Sequence, residues 1–172
     1  MIRHLTPADY RAMPWANGRG QTVEMLRLDG PKGMLWRLSM AAVVEDGAFS
    51  VFPGIERVLT VISGPGFDLV GAGTLRAAPL VPIAFAGDAP MVAAGVLAPS
   101  HDFNVMTARD LPRPDVSVLR GGELAAGGTL CLFALGPVRA GGVAMARHDL
   151  LITEGAALVS GENPVIAVRL YA

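Results

Sequence analysis

No stretch beyond residue 13 sustains a 3.6-residue apolar period over ten or more positions, so a helical core is closed to this chain. What recurs instead is a short alternating segment stopped by glycine or proline. Trp36, Leu38 and Met40 alternate with Arg37, Ser39 and Ala41, and a period of two puts these sets on opposite faces of a strand. Turn clusters such as Glu45-Asp46-Gly47, Ser63-Gly64-Pro65-Gly66 and Gly71-Ala72-Gly73 stop these segments, and many short strands with turns at intervals of roughly 8–12 residues follow along the chain. The expectation is an all-β sandwich or barrel, with a jelly roll favoured because the strand edges must be covered.

Taken in order, Thr6-Pro7 reads as the cap of a short helical turn that Pro14 ends. Residues 15–22, WANGRGQT, form a tight loop, and Thr22 to Leu28 alternates as a strand rather than opening the helix that a phosphate loop requires. The central stretch 36–61 runs from one strand through the aromatic connection FSVFPG into a second, from Arg57 to Ile62. Residues 66–70 and 74–77 form a hairpin, and 79–85 an edge strand because Pro82 interrupts it. In 103–109 Asn104 and Met106 share one face, opposite Phe103 and Val105. Leu111–Pro114 is a connector, leaving β-rich portions of about 1–110 and 111–172 within one domain, 1–172.

A formal net charge of −1 gives no electrostatic reason to expect nucleic acid or an anionic membrane as a partner. Apolar runs fall short of the roughly 18 residues of a membrane span, and the N-terminus lacks the apolar core of a secretory signal. The expected location is the cytoplasm. The single cysteine, Cys131, sits in an apolar strand with no nearby base, as a buried thiol does. His4, His101 and His148 stand far apart, so neither a metal nor another cofactor is expected. No nucleophile elbow or spaced carboxylate pair is present, and no catalytic residue is assigned.

Anion recognition is the better-supported chemistry. Arg37 lies inside an apolar strand and Arg57 opens another, and a guanidinium fork suits a carboxylate. For each, three placements are open: toward solvent, against Glu24 or Glu56, or into a barrel interior. Asn17 and Asn104 can supply amide partners, although Asn17 also suits the left-handed position of an Asn-Gly turn.

Four segments in order resemble the HutD/Ves family: WANGRGQTVE (15–24), WRLSMAAVVEDGAFSVFPGIERVLTVISGPG (36–66), FAGD (85–88) and DFNVMTAR (102–109). The resemblance implies a cupin, an RmlC-like jelly roll, arranged as a compact bicupin in a single chain. It also implies a non-catalytic protein associated with histidine utilisation that binds a small carboxylate, N-formyl-glutamate being the proposed ligand. Carried over by position, the ligand-binding residues are Asn17, Thr22, Arg37, Ser39, Arg57 and Asn104, with Trp15, Trp36, Phe49 and Phe52 as apolar walls. The chain departs from the family pattern at Ala16, where lysine is common, and at Arg19, where glycine is usual. Homodimers are common among cupins, and the resemblance allows one here. The competing reading is a metal-independent isomerase or hydrolase in the same pocket, with Asp102, His101 or Glu24 as acid or base.

Overall fold

A computed structural model describes residues 1–172, and apart from one 3₁₀ turn, Pro7–Asp9, its regular structure is all strand. The chain divides into two compact units, Arg11–Asp110 and Met1–Tyr10 with Leu111–Ala172.

Within Arg11–Asp110, a six-stranded sheet runs in the order Arg11–Pro14, Gln21–Gly30, Gly33–Val43, Ser100–Ala108, Ile55–Ser63, Ile83–Ala86. A four-stranded sheet follows the order Gly47–Ala48, Val92–Ala94, Phe67–Val70, Thr74–Ala77. Alternation explains how they pack. Val43, Leu59, Val61 and Phe85 of the first sheet meet Phe67, Leu69, Ala77 and Ala93 of the second in one buried cluster. The strand expected over 79–85 is confined to Ile83–Ala86: it starts just after Pro82, which has no N–H to give a ladder, and it does lie at a sheet edge.

The opening of the chain differs in part from expectation. Asp9 Oδ2 accepts from the Thr6 N–H at 2.8 Å and the Thr6 hydroxyl at 3.0 Å, so one turn forms. It stops at Asp9 rather than Pro14, because Arg11–Pro14 pairs antiparallel with Gln21–Gly30. Ladder hydrogen bonds there replace the helical ones.

The second unit also has two sheets. One has the order Ile2–Leu5, Leu150–Thr153, Thr129–Ala134, Val165–Leu170, Asp115–Leu119; the other is Gly122–Leu124, Ala157–Ser160, Val138–Ala140, Val143–Met145. Leu130, Leu132, Leu151 and Val165 meet Val138, Ala140, Met145 and Val159, and apolar side chains fill this interior. The Ile2–Leu5 strand is held at its end by side chains as well as by its ladder. His4 Nε2 lies 2.8 Å from Asp149 Oδ2, and the Tyr10 hydroxyl donates to the His148 carbonyl at 2.6 Å. His148 itself adopts φ +68°, with its ring stacked on Phe133 at 5.4 Å. No helix of the structure is long and apolar enough to cross a membrane.

Cys131 is fully buried on the central strand of this unit, and burial pushes its thiol up to about 12. Only the thiolate is nucleophilic, so the native protein is expected to resist thiol reagents at neutral pH. Mass spectrometry after alkylation, with and without denaturant, checks this. Rapid native labelling would show that the strand opens locally.

Candidate functional site

The unit Arg11–Asp110 contains a cavity of about 480 Å³ between the faces of its sheets and the loops at their ends. Strand register builds its floor. Arg37, Met106 and Arg57 stand in one row across three neighbouring strands, since Met106 pairs with both arginines. Ser39 and Asn104 form the adjacent row, and Ala41 and Asp102 the next. Period two puts all of these side chains on one face. Trp15, Asn17, Thr22, Phe49, Ser50 and Phe52 add to the lining from the loops and a strand start.

Both arginines are buried, at 7% exposure for Arg37 and 6% for Arg57, so neither faces solvent. Their partners differ sharply. Arg37 Nε donates to Glu24 Oε2 at 2.7 Å, with Met13 Sδ 3.5 Å from Nη2, so its charge is compensated directly. Arg57 has no carboxylate bonded to it. Its Nη2 donates to Asn104 Oδ1 at 2.9 Å, its Nη1 reaches the Ser50 carbonyl only at 3.5 Å, and its Nε has no partner. Glu56 does not supply the missing charge, since it holds Arg109 at 2.6 Å.

Three aromatic rings partly offset that burial. The Arg57 guanidinium carbon lies 5.4 Å from the ring centroids of Phe49 and Phe52 and 5.1 Å from that of Phe85. Each such face attracts a desolvated cation by up to about 2 kcal/mol. Burial nevertheless lowers the Arg57 pKa to about 10, against the raising effect of Asp102; Arg37 lowers it further. Asp102 is shifted the other way, up to about 7, chiefly by burial. Asn104 joins the two, its Nδ2 donating to Asp102 Oδ1 at 2.5 Å.

The loop residues are held by their own bonds. Trp15 Nε1 donates to Thr22 Oγ1 at 2.9 Å, and the Trp15 N–H donates to the Gly20 carbonyl at 2.9 Å. A Cβ on Gly20 would come within 2.8 Å of the indole, so only glycine lets the ring lie there. Gly18, at φ +69°, takes the left-handed position of the turn. Asn17 Oδ1 accepts from the Arg19 N–H at 3.0 Å, and Asn17 also lines the cavity. Arg19 pairs with Glu45 at 2.6 Å in an exposed position.

Nine of the ten residues expected at the site line the cavity, and Trp36 does not. The reason is parity: Trp36 precedes Arg37 on the same strand, so it points to the opposite face of the sheet. Of the three candidate acids or bases, only Asp102 lines the cavity. His101 bonds Ser63 Oγ at 3.1 Å, and Glu24 is engaged with Arg37. Phe85 was missed, although it lies in the FAGD segment. So was Met106, two residues from Asn104 and therefore on its face. No group of three or more His, Cys, Asp or Glu side chains is placed to hold a metal ion.

A larger hollow of about 800 Å³ adjoins the first and shares Arg37 and Phe52 with it. Its arginines are already matched: Arg27 with Asp29 at 2.9 Å, Arg37 with Glu24, and Arg109 with Asp88 at 2.7 Å. The first cavity alone presents a buried arginine without a direct acidic partner.

Comparison with known proteins agrees with this architecture. A family model, HutD, matches residues 7–166. An uncharacterised 21.2 kDa protein in the hutC 3′ region of Pseudomonas putida is 38% identical over 112 residues, covering 62% of this chain and 58% of its own. Protein Ves of Cronobacter sakazakii is 36% identical over 118 residues, covering 64% of each. The match therefore spans less than two thirds of either curated relative. The solved structure of HutD from Pseudomonas fluorescens SBW25 covers 100% of both chains at 30% identity, with a TM-score of 0.88. A bacterial pirin, YhhW from Escherichia coli, has the same fold at 10% identity, with a TM-score of 0.67 over 99% of both chains, and the all-β fold is the cupin type.

Proposed function

The chain belongs to the HutD family, and from that membership and the cavity we propose that it binds a small acidic amino-acid derivative and moderates histidine utilisation without transforming the ligand. N-formyl-glutamate is the proposed ligand. The observation that carries this reading is Arg57: a buried guanidinium, boxed by aromatic rings, facing a cavity with one N–H unpartnered and no carboxylate bonded. Buried charges are ordinarily paired, and a ligand carboxylate would supply the pair. The Asn17 and Asn104 amides and the Ser39 hydroxyl offer hydrogen bonds suited to a formyl group. The position of the Pseudomonas putida relative in a hutC 3′ region supports the link to histidine utilisation. We further place the protein in the cytoplasm and read its two units as a bicupin, a reading supported by the two-sheet build of each.

Calorimetric titration with N-formyl-L-glutamate, L-glutamate and urocanate tests the ligand. Saturable heat with the formyl compound, and weaker or no heat with the other two, is expected. Silence with all three would reject this ligand class for the chain. A second reading, a metal-independent enzyme, has one observation in its favour: Asp102 holds its carboxyl near neutrality inside the cavity. Product released from N-formyl-L-glutamate, and lost in Asp102→Asn, would favour that reading over a binder.

A further inference from the structure

Arg57 and Asp102 share the cavity with an amide between them. Asn104 accepts from Arg57 with Oδ1 at 2.9 Å and donates to Asp102 with Nδ2 at 2.5 Å. Such an amide transmits orientation between two charges and neutralises neither. The other charged group lining the cavity is Arg37, from Gly33–Val43, joined at 2.7 Å to Glu24 of Gln21–Gly30. By register Arg11 and Arg27 share this face of the sheet, but both are exposed and outside the cavity lining, and Arg27 is paired with Asp29 at 2.9 Å. His101, next to Asp102 in sequence, points to the opposite face and bonds Ser63. With Asp102 ionised, the enclosed groups, two cations (Arg37, Arg57) and two carboxylates (Glu24, Asp102), balance before any ligand arrives. A carboxylate laid on Arg57 makes the sum −1, in a space where an uncompensated charge is costly.

We propose that this cavity takes its acid together with a proton: Asp102 is protonated as a carboxylate docks on Arg57, so the filled site is neutral. The inference rests on the acid-binding reading above. The proton comes from solvent buffer and forms an O–H bond on the Asp102 carboxyl; nothing is oxidised or reduced. In the ligand-free cavity, burial holds this carboxyl at about 7 against the lowering pull of Arg57, the Asn104 amide and the Ala41 N–H. A ligand anion on Arg57 offsets the first of these pulls, so the proton is held more firmly in the filled site. The sign follows from linkage. Affinity is full below about pH 7, where Asp102 already carries its proton. It falls as pH rises above that, by at most tenfold per pH unit for one proton, and levels off beyond the raised pKa of the complex. One carboxylate is balanced per cavity, and a second on the same ligand must remain solvated.

The test is a carbon NMR titration of the Asp102 carboxyl over roughly pH 5 to 10, in the free protein and with saturating sodium formate or N-formyl-L-glutamate. The Arg57 Nε–H resonance, unpartnered in the free cavity, reports occupancy. The expected result is an Arg57 shift accompanied by a higher Asp102 midpoint. An Arg57 shift with an unmoved Asp102 midpoint overturns the proposal while acid binding stands. No response at either residue with either acid overturns both. Asp102→Asn copies the protonated form and is expected to bind with an affinity flat across the same range; a variant that kept the parent's pH slope would also overturn the assignment.

Discussion

Arg57→Met is expected to weaken acid binding by about 30-fold to several thousand-fold, the equivalent of roughly 2–5 kcal/mol for losing one partner of a buried charge pair. The same variant is expected to fold as stably as the parent, or more so. The two effects come from one fact. Arg57 is buried without a direct counter-charge, so in the empty protein its desolvation is met only by three aromatic faces and an indirect link to Asp102. A methionine keeps much of the stem's packing and removes the charge, while Asp102 can become neutral by taking a proton. Calorimetric titration with N-formyl-L-glutamate and denaturant unfolding together check this. If the variant bound the acid as tightly as the parent, Arg57 would not be the anchor. If it unfolded several kcal/mol earlier, the cation would be structural.

Glu24→Ala should have the opposite profile. Glu24 and Arg37 are nearly buried, with side-chain exposures of 12% and 9%, and they neutralise each other at 2.7 Å. Removing the carboxylate strands a guanidinium whose remaining side-chain contact is Met13 Sδ. Breaking a buried pair from one side costs about 3–5 kcal/mol. At about 2–4 °C per kcal/mol for a chain of this size, the melting temperature should fall by roughly 6–20 °C. Glu24→Gln keeps an acceptor and should lose less. A Glu24→Ala protein that melts with the parent would mean that Arg37 finds another partner and belongs to the ligand.

These contrasting roles for two arginines were only half legible beforehand. Alternation along 36–43 and 103–109 put Arg37 with Ser39 and Asn104 with Met106, and the strands follow that parity. The same parity excludes Trp36 from the cavity; assigning it as a wall followed aromatic character instead of strand face. Which acid answers which arginine is a matter of register between strands, and a single sequence carries no register. Glu24 and Glu56 were equal candidates, and only the pairing of Gln21–Gly30 with Gly33–Val43 brings Glu24 beside Arg37. Very short strands such as Gly47–Ala48 and Val143–Met145 have too few residues to display a period. Asp102 was visible as a residue with acid–base chemistry, but the upward shift of its carboxyl arises from burial, which no local pattern records.

The strand Ile2–Leu5 has the most distant partner, Leu150–Thr153. On the ribosome, at about 5–20 residues per second, Ile2–Leu5 emerges roughly seven to thirty seconds before Leu150–Thr153 exists. During that interval its backbone edge has no native mate, whereas every partner needed by Arg11–Asp110 has been made by the time residue 110 emerges. Translation order thus favours completion of the cavity-bearing unit first, with Ile2–Leu5 waiting for Leu150–Thr153. Pauses in translation after residue 110 would lengthen the exposure of that edge without delaying the cavity, and a mistimed neighbour could claim the strand before its own sheet does.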